Sequence, residues 1–235
     1  MALGKFYGVG LGPGDPELVT VKALNVLQNA DVIFNIISQQ SSRSVSAGIV
    51  DELPGINAET VELTFAMRDN RDERNEFYRR NSEIIISYLS EGRNCALVTI
   101  GDPLTYGTYG YIMKELRQML PELEIETVPG VNSWTALAAK TNTVLVEDRG
   151  KLSIVPSFAE EDIESVMREN SDTVVFLKTY RTRDKLLSVL PDGADILYGS
   201  NICLGDEFIT DSREEILQTE QNYLSMIIVR KRDES

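Results

Sequence analysis

The chain has 235 residues, 42% hydrophobic and 26% charged, which is typical of a globular protein with one large or two small domains. Its formal net charge of −14 argues against a nucleic-acid partner or an anionic membrane, because both require a clustered basic surface. Histidine is absent, which excludes Ser-His-Asp and Cys-His catalysis and every metal site with a histidine ligand.

Two further features concern location. No uninterrupted apolar run approaches the roughly 20 residues that span a bilayer, and no leader-like segment follows Met1. Cys95 and Cys203 both lie in apolar, strand-like runs and are predicted to be free thiols. We therefore expect a cytoplasmic protein with neither a membrane nor a nucleic-acid partner.

The first half of the chain alternates between predicted strands and helices. The predicted strands are KFYGVGLG (5–12), DVIFNII (31–37), ETVEL (59–63) and NCALVTIGDP (94–103). The predicted helices are ELVTVKALNVLQNA (17–30), a short one within 41–53, a long charged one over 69–91 that ends at Gly92, and TYGYIMKELRQML (108–120). This alternation predicts an α/β domain over residues 1–120 with a mainly parallel sheet.

The second half continues the pattern after Pro121. Its predicted strands are LEIETVPG (123–130), LSIVPS (152–157), TVVFLK (173–178), ADILYGSNIC (194–203) and LSMIIVRK (224–231). Its predicted helices are EEDIESVMREN (160–170) and RTRDKLLSVL (181–190). With a boundary near 119–122, we expect a second α/β domain over 121–235 with a mixed sheet.

The stretch FYGVGLGPGDPELVT (6–20) places four glycines at alternate positions beside the first strand. A dinucleotide fingerprint fails here because Pro13 or Asp15 falls where its third glycine should be, and no Gly-Lys-Ser/Thr follows for a phosphate loop. Pro13 also lacks an N–H group, and Asp15 would repel a phosphate. The stretch is therefore either a tight turn without a ligand or part of a site for a ligand without phosphates.

Three later stretches define a family pattern: IGDPLTYGTYG (100–110), VPGVNSW (128–134) and TVVFLK (173–178). In this order, after GVGLGPGDPELVTVKAL, they resemble the tetrapyrrole methylase family over essentially the whole chain. Members transfer a methyl group from S-adenosylmethionine to corrin precursors and related substrates. Within the family, TIGDPLTYGTYGYI is most similar to the branch that methylates C20 of precorrin-2 or cobalt-factor II.

The resemblance implies a two-domain α/β fold, that of the class III S-adenosylmethionine methyltransferases, with the active-site cleft between the domains and a homodimeric assembly. It implies glycines that give a ligand access to main-chain groups, and no protein-bound metal. The positions that match the family's donor-binding residues are Pro13, Gly101, Asp102, Thr105, Tyr106, Asn132, Ser133, Leu177, Lys178 and, more loosely, Ser225 and Met226. Lys178 departs from the family, in which many members carry Met at this position.

Other roles are open for some of these residues. Asp102 could cap the next helix, and Tyr106, Tyr109 and Tyr111 could be ordinary packing residues. Trp134 is expected in the core or in a dimer interface rather than at a ligand.

The tetrapyrrole substrate implied by the resemblance carries several carboxylates, so the acidic chain must bind it by local pairing with arginine. The segment FAMRDNRDERNEFYRR (65–80) supplies Arg68, Arg71 and Arg74 at intervals of three residues. The alternative is a solvated helix with local ion pairs to the interleaved acids. Arg149, Lys151 and the RTR sequence at 181–183 are secondary candidates, and NIISQQSSRS (35–44) is expected to border the substrate with polar donors.

For such a reaction, an enamine-like carbon and a sulfonium methyl group need alignment more than a strong base. Proximity and orientation can supply roughly 7–11 kcal/mol of a barrier. We expect no single essential side chain, with the proton lost to water, a substrate carboxylate, or a weak base such as Asp102 or Tyr106. The alternatives are methylation at C11 or C17, an RNA 2′-O-methyltransferase, which the charge disfavours, and a non-catalytic S-adenosylmethionine-binding protein.

Overall fold

A computed structural model describes residues 2–38, 44–65, 71–157, 163, 165–166, 171–191 and 193–230. The chain divides into two compact units, Met1–Asn132 and Ser133–Ser235. The sequence placed a boundary near 119–122. The division falls about ten residues later because the strand Ile125–Val128 pairs with the first strand of the chain and so belongs to the first sheet.

The first unit contains one five-stranded sheet. Its strands are β1 (Phe6–Gly10), β2 (Val32–Ser38), β3 (Glu59–Phe65), β4 (Cys95–Thr99) and β5 (Ile125–Val128). They lie in the order β3-β2-β4-β1-β5, and every pair is parallel. The helices are α1 (Val21–Gln28), α2 (Val45–Glu52), α3 (Arg71–Ser90) and α4 (Tyr109–Met119).

Both faces of this sheet are covered, which explains why its central strands read as continuous apolar runs. All five residues of β4 are buried. On one face Phe34 and Leu97 pack with residues of α3 and α4, and on the other Ile33 and Val98 pack with residues of α1 and α2. The parallel arrangement brings the carboxyl ends of all five strands to one edge of the sheet, where α/β proteins bind ligands.

The second unit contains a mixed five-stranded sheet. Its strands are β6 (Leu152–Pro156), β7 (Thr173–Leu177), β8 (Asp195–Ser200), β9 (Phe208–Thr210) and β10 (Ser225–Arg230). In the order β6-β7-β10-β8-β9, only β6 and β7 pair in parallel. The helices whose bounds lie within the described residues are α5 (Ser133–Thr141), α6 (Arg183–Val189) and α7 (Arg213–Gln218).

Capping residues explain where the structure departs from the predicted elements. The helix expected from residue 17 starts at Val21, because Asp15 caps a separate 3-10 turn, Pro16–Leu18, and Thr20 caps α1 through the Ala23 N–H at 3.1 Å. The elements predicted from the sequence did not include α5, β9 or α7. The predicted helix over 160–170 lies largely outside the described residues.

Within the described ranges, no helix is long and apolar enough to cross a membrane.

Candidate functional site

Four glycines hold together the strand ends at the carboxyl edge of the first sheet. We call Gly10, Gly12, Gly101 and Gly130 the glycine junction. The Leu11 N–H donates to the Thr99 carbonyl at 2.9 Å, and the Gly101 N–H donates to the Gly12 carbonyl at 2.7 Å. The loops after β1 and β4 are thus linked by main-chain hydrogen bonds beyond the regular sheet.

Sterics require glycine at these positions. A Cβ on Gly10 would lie 2.6 Å from the Gly101 oxygen and from the Gly130 nitrogen, and one on Gly130 would lie 2.9 Å from the Gly10 Cα. Gly12 and Gly101 have φ values of +76° and +72°, which favour glycine. A Cβ on Gly8 would overlap the Tyr109 ring, whose hydroxyl pairs with Thr127 at 2.6 Å. The alternating glycines therefore allow backbone-on-backbone and ring-on-backbone packing.

Asp102 ties this junction together through its carboxylate. One oxygen accepts from the Leu104 N–H at 3.0 Å and from the Thr105 hydroxyl at 3.1 Å, and the other accepts from the Gly130 N–H at 3.2 Å. The alternative role, capping the next helix, does not apply, because α4 begins only at Tyr109. With three donors satisfied, the carboxylate acts as a structural acceptor that joins the loops after β4 and β5.

The remaining predicted residues of the first unit surround the junction with different exposure. Pro13 is buried, and the Asp15 carboxylate accepts from the Glu17 N–H at 2.8 Å. Thr105 is partly exposed, and Tyr106 is 47% exposed with a left-handed φ of 50°. This conformation is uncommon for a bulky residue and has to be maintained by the surrounding structure.

Two other predicted roles for aromatic residues are decided by burial. Tyr109 is fully buried and Trp134 is 7% exposed, so both are core residues of their units. Tyr111 is 57% exposed and stacks on Tyr78 with ring centroids 4.8 Å apart.

Buried polar atoms without partners mark the same edge of the first sheet. Asn35 on β2 and Thr99 at the end of β4 are 0% and 7% exposed, and in the described ranges the Asn35 amide nitrogen and the Thr99 hydroxyl have no hydrogen-bond partner. The Asn35 oxygen accepts from Ser46 at 3.1 Å, and Ser46 pairs with Ser44 at 2.7 Å. Of the segment expected to supply polar donors, residues 39–43 lie outside the described residues.

The second unit carries its predicted residues at the turn after β7. Leu177 ends that strand, opposite Met226 on β10. Lys178 then adopts a left-handed conformation, φ 58° and ψ 44°, and its N–H donates to the Ser225 carbonyl at 2.8 Å. The Leu177 carbonyl accepts from the Ser157 N–H at 2.8 Å. Both of these main-chain groups are therefore paired within the second unit, and the Lys178 ammonium lies 5.5 Å from the centre of the Tyr223 ring.

Ser225 and Met226 are each 3% exposed. The Ser225 hydroxyl pairs with the Thr179 hydroxyl at 3.1 Å, so it connects β10 to the turn that follows β7. Asn132 immediately precedes α5, and Ser133 is the first residue of that helix; both are partly exposed.

The arginines proposed for substrate binding are only partly placed. Arg68 lies outside the described residues, as does the side chain of Arg71, although Arg71 begins α3. Arg74 is exposed in the first turn of that helix. Further along α3, Arg79 pairs with Glu83 at 3.5 Å, an i,i+4 contact of the kind expected for a solvated charged helix.

The structure also shows residues that sequence reasoning did not single out. Tyr180 and Tyr223 pack edge to face beside Lys178, with ring centroids 5.5 Å apart. No local sequence pattern indicates this contact, because the two residues are far apart in the chain and meet only through the antiparallel pairing of β10 with β7.

Fold and site together define a class: an α/β protein of two units with a glycine-lined strand edge in the first and a left-handed turn in the second, suited to a ligand bound by main-chain groups. Residues 5–217 match the model of the Tetrapyrrole (Corrin/Porphyrin) Methylases, so the chain belongs to that family and is a methyltransferase.

Known proteins agree with this assignment. The chain is 35% identical over 232 residues to a Methanocaldococcus jannaschii protein called "Probable cobalt-precorrin-2 C(20)-methyltransferase", covering 97% of this chain and 96% of that one. A solved cobalt precorrin-4 methyltransferase shares the fold with a TM-score of 0.72 at 23% identity, covering 96% and 94% of the two chains. The uroporphyrin-III C-methyltransferase of Thermus thermophilus, solved with S-adenyl homocysteine, has a TM-score of 0.68 at 23% identity and covers 97% and 98%.

Proposed function

We propose that this protein transfers a methyl group from S-adenosylmethionine to C20 of precorrin-2 or cobalt-factor II in cobalamin biosynthesis. The observation that carries the proposal is the 35% identity, over nearly the full length of both chains, to a relative whose name specifies C20 of cobalt-precorrin-2. A Sinorhizobium relative named for the same carbon of precorrin-2 is 29% identical over 197 residues, which supports the same position.

The residues of the glycine junction fit the methyl donor. Among the described residues, a Cβ built on Gly101 would meet no atom within 4 Å, so the main chain there is open on one side. Beside it stand the partly exposed Thr105 and Tyr106 and the unpartnered hydroxyl of Thr99, judged over the described part of the chain. The net charge of −14 also favours a cationic sulfonium ligand.

We propose that the methyl donor is bound by the residues that match the family's donor-binding positions. In the first unit these are Pro13, Gly101, Thr105, Tyr106 and Asn132, with Asp102 holding their loops. In the second unit they are Ser133, Leu177 and Lys178, with Ser225 and Met226 supporting the turn. Arg68, Arg71 and Arg74 stay candidates for the substrate carboxylates.

S-adenosylmethionine, when bound, supplies an electrophilic methyl group on a positively charged sulfur. The protein holds the loop 101–106 and the turn at Lys178 in fixed conformations. The entropy cost of aligning the two reactants is then met on binding and not in the chemical step. Asp102 already accepts three hydrogen bonds, and so a general-base role would disrupt the junction. The proton that the methylated carbon loses then goes to water or to a substrate carboxylate. Tyr106 is the remaining side-chain candidate for a weak base.

The reaction is tested by anaerobic incubation with S-adenosylmethionine and either precorrin-2 or cobalt-factor II. We expect a product heavier by one methyl group, with NMR placing it on C20, and the preferred substrate shows whether cobalt is already present. A methyl group on C11 or C17 would contradict the regiochemistry. Binding of the donor without turnover on any tetrapyrrole would instead identify a donor-binding sensor.

We further propose a cytoplasmic homodimer that acts without a nucleic-acid or membrane partner and without a protein-bound metal. The family resemblance supports the dimer, and the two cysteines, both free thiols, suit a reducing compartment. Light scattering would give the assembly state, and elemental analysis of the purified protein would test for a metal.

A further inference from the structure

Three aromatic rings form a row that runs outward from the carboxyl edge of the first sheet. Phe65, the last residue of β3, contacts the Tyr78 ring of α3 with ring centroids 5.9 Å apart. Tyr78 in turn stacks on Tyr111 of α4, with centroids 4.8 Å apart and planes within 1° of parallel. Parallel rings at this distance are offset, which is an arrangement that aromatic pairs favour. The row therefore ends at Tyr111.

Exposure to solvent rises along this row. Phe65 is 9% exposed, Tyr78 is partly exposed and Tyr111 is 57% exposed. Tyr78 covers one side of the Tyr111 ring, and in the described ranges no second ring covers the other side. A ring that is held by one neighbour and still open to solvent can stack on a planar ligand at little cost in side-chain entropy.

The helix that carries Tyr78 is fixed to the end of β3. Asn81, nearly one turn further along α3, is 4% exposed, and its amide donates to the Thr64 carbonyl at 3.0 Å. Ile85 of α3 and Ile112 of α4 belong to one buried cluster on the same face of the sheet. The position of the ring row is therefore set by packed helices and not by a loop.

An arginine accompanies the ring row. Arg74 lies four residues before Tyr78 on α3, so the two side chains share a face of the helix. Burial raises the pKa of the Tyr78 hydroxyl, Tyr111 raises it further, and the positive charge of Arg74 lowers it, which places that charge near the stacked rings. Arg74 is exposed, and across the described residues it forms no ion pair. We call Arg74, Tyr78 and Tyr111 the tyrosine platform.

Arg79, further along the same helix, shows the contrast. It pairs with Glu83, four residues later, at 3.5 Å. The positions three and four residues after Arg74 hold Phe77 and Tyr78, so no acidic side chain lies there to neutralise its charge. Arg74 is therefore a cation beside an aromatic surface.

We propose that the tyrosine platform binds the tetrapyrrole, with the Tyr111 ring against the face of the macrocycle and Arg74 paired with a carboxylate at its rim. This inference rests on the proposed function. A tetrapyrrole combines an apolar, largely planar ring system with peripheral carboxylates, and an aromatic ring beside an arginine complements both features. In a chain with a net charge of −14, a polycarboxylate needs such a cation without an internal partner.

The platform also lies near the predicted donor site along the chain. Tyr111 follows Tyr106 by five residues and belongs to the first turn of α4, the helix that the loop after β4 enters. Phe65 ends β3 at the carboxyl edge of the sheet, where the glycine junction lies. A macrocycle on Tyr111 would therefore be held at the same sheet edge as the loop 101–106.

The test compares Arg74→Gln with Arg80→Gln. Arg80 is also exposed on α3 but lies about 120° around the helix from Arg74. Tetrapyrrole affinity is measured by absorbance titration with precorrin-2 under anaerobic conditions, and donor-site affinity by calorimetry with S-adenosylhomocysteine. We expect Arg74→Gln to raise the tetrapyrrole Kd about tenfold, equivalent to about 1.4 kcal/mol, while the donor Kd changes less than about twofold. Arg80→Gln should leave both constants within about twofold of the original.

Two variants at Tyr111 separate the ring from its hydroxyl. Tyr111→Phe keeps the stacking surface and should leave the tetrapyrrole Kd within about twofold, whereas Tyr111→Ala should raise it about tenfold. Thermal melting by circular dichroism checks that both variants are folded. An unchanged tetrapyrrole Kd in both Arg74→Gln and Tyr111→Ala would overturn the inference. If Tyr111→Ala then also lowers the mass in light scattering, the platform is instead a contact between two copies of the chain.

The outcomes also distinguish the inference from the proposed function. If wild-type protein binds uroporphyrin III but not precorrin-2, and Tyr111→Ala weakens that binding, the platform stands and the C20 substrate does not. If wild-type protein methylates precorrin-2 at C20 and the variants bind it normally, the function stands and the platform does not. A wild-type protein that binds no tetrapyrrole overturns both.

Discussion

Asp102 shows how one side chain in a predicted site can serve the reaction indirectly. The sequence offered it as a donor-binding residue, a helix cap or a weak base. In the structure its carboxylate connects the loops after β4 and β5 by accepting from Leu104, Thr105 and Gly130. We infer that it is a positioning residue, which keeps Gly101 and the following loop in place for the donor.

This role predicts the behaviour of Asp102→Asn. The asparagine oxygen can still accept from the Leu104 N–H and the Thr105 hydroxyl, but its NH2 group then faces the Gly130 N–H. The Gly130 N–H loses its acceptor, at a cost of roughly 1–3 kcal/mol. We expect the affinity for S-adenosylmethionine and S-adenosylhomocysteine to fall about 5- to 100-fold, while the pH dependence of kcat keeps its shape. Calorimetry with S-adenosylhomocysteine and a pH–rate series measure the two.

Asp15→Asn is the matched control, because that carboxylate only caps the 3-10 turn. A loss of more than about a thousandfold in kcat, with donor affinity unchanged, would mean that Asp102 is the base after all.

At the scale of elements, the glycine junction determines how closely three strand ends approach. Strand β1 lies between β4 and β5, and the loops that follow them contact one another through bare backbone. Side chains at Gly10 or Gly130 would force these loops apart and move the predicted donor-binding residues with them.

Substituting Gly130 by alanine should therefore be severely destabilising. The new Cβ would overlap the Gly101 oxygen and lie 2.9 Å from the Gly10 Cα, and relief requires movement of main chain. We expect a loss of several kcal/mol or failure to fold. Gly48→Ala is the comparison, since a Cβ on Gly48, in α2, would meet no atom of the described residues within 4 Å. This change should stabilise the protein by about 0.5–1 kcal/mol. Equal effects of both changes in urea unfolding would refute this account.

A second element-scale feature is an ion-pair group that ties β5 to β1 and α1. Lys5 pairs with Glu124 at 2.7 Å and with Glu126 at 2.9 Å, and Lys22 also pairs with Glu126. Hydrogen bonds from Lys22 and Lys5 lower the pKa of Glu126 to about 2. Bonds from Glu124 and Glu126 raise the pKa of Lys5 above its ordinary value.

These shifts predict how stability depends on pH. A carboxylate with a lowered pKa in the folded state stabilises the protein above its unfolded pKa, near 4.5, and loses that contribution as the pH falls towards 2. We expect Glu126→Gln to have a lower Tm than the original protein between pH 6 and 9. The difference should shrink between pH 4.5 and 2, as followed by circular dichroism. A difference independent of pH would show that the pairs contribute nothing through charge.

At the scale of the whole molecule, the net charge of −14 opposes the approach of a polycarboxylate. We therefore expect the cations that bind such a ligand to act at short range. Salt weakens the long-range repulsion most, because screening at about 0.1 M reduces interactions beyond roughly 10 Å. It also weakens short-range ion pairs, and the two changes have opposite effects on binding.

This balance predicts an unusual kinetic response. Raising salt from about 10 to 150 mM should increase the association rate of the tetrapyrrole severalfold, because the repulsion is screened. The dissociation rate should increase as well, because the short-range ion pairs between ligand carboxylates and cationic side chains weaken. Stopped-flow absorbance measures both rates. Association that slows with added salt would show that a larger basic surface recruits the substrate.

The sequence by itself determined the α/β class, the parallel first sheet and the family, because hydrophobic period, glycine placement and short motifs are local signals. The site residues that it offered stay a prediction. It also excluded imidazole chemistry through composition alone. It could not reveal that Gly8 makes room for Tyr109, that Asp102 bonds to Gly130, or that Tyr223 supports Lys178. These relations join residues 28 to 101 positions apart, and only strand order and register, set by burial of both sheet faces, bring them into contact.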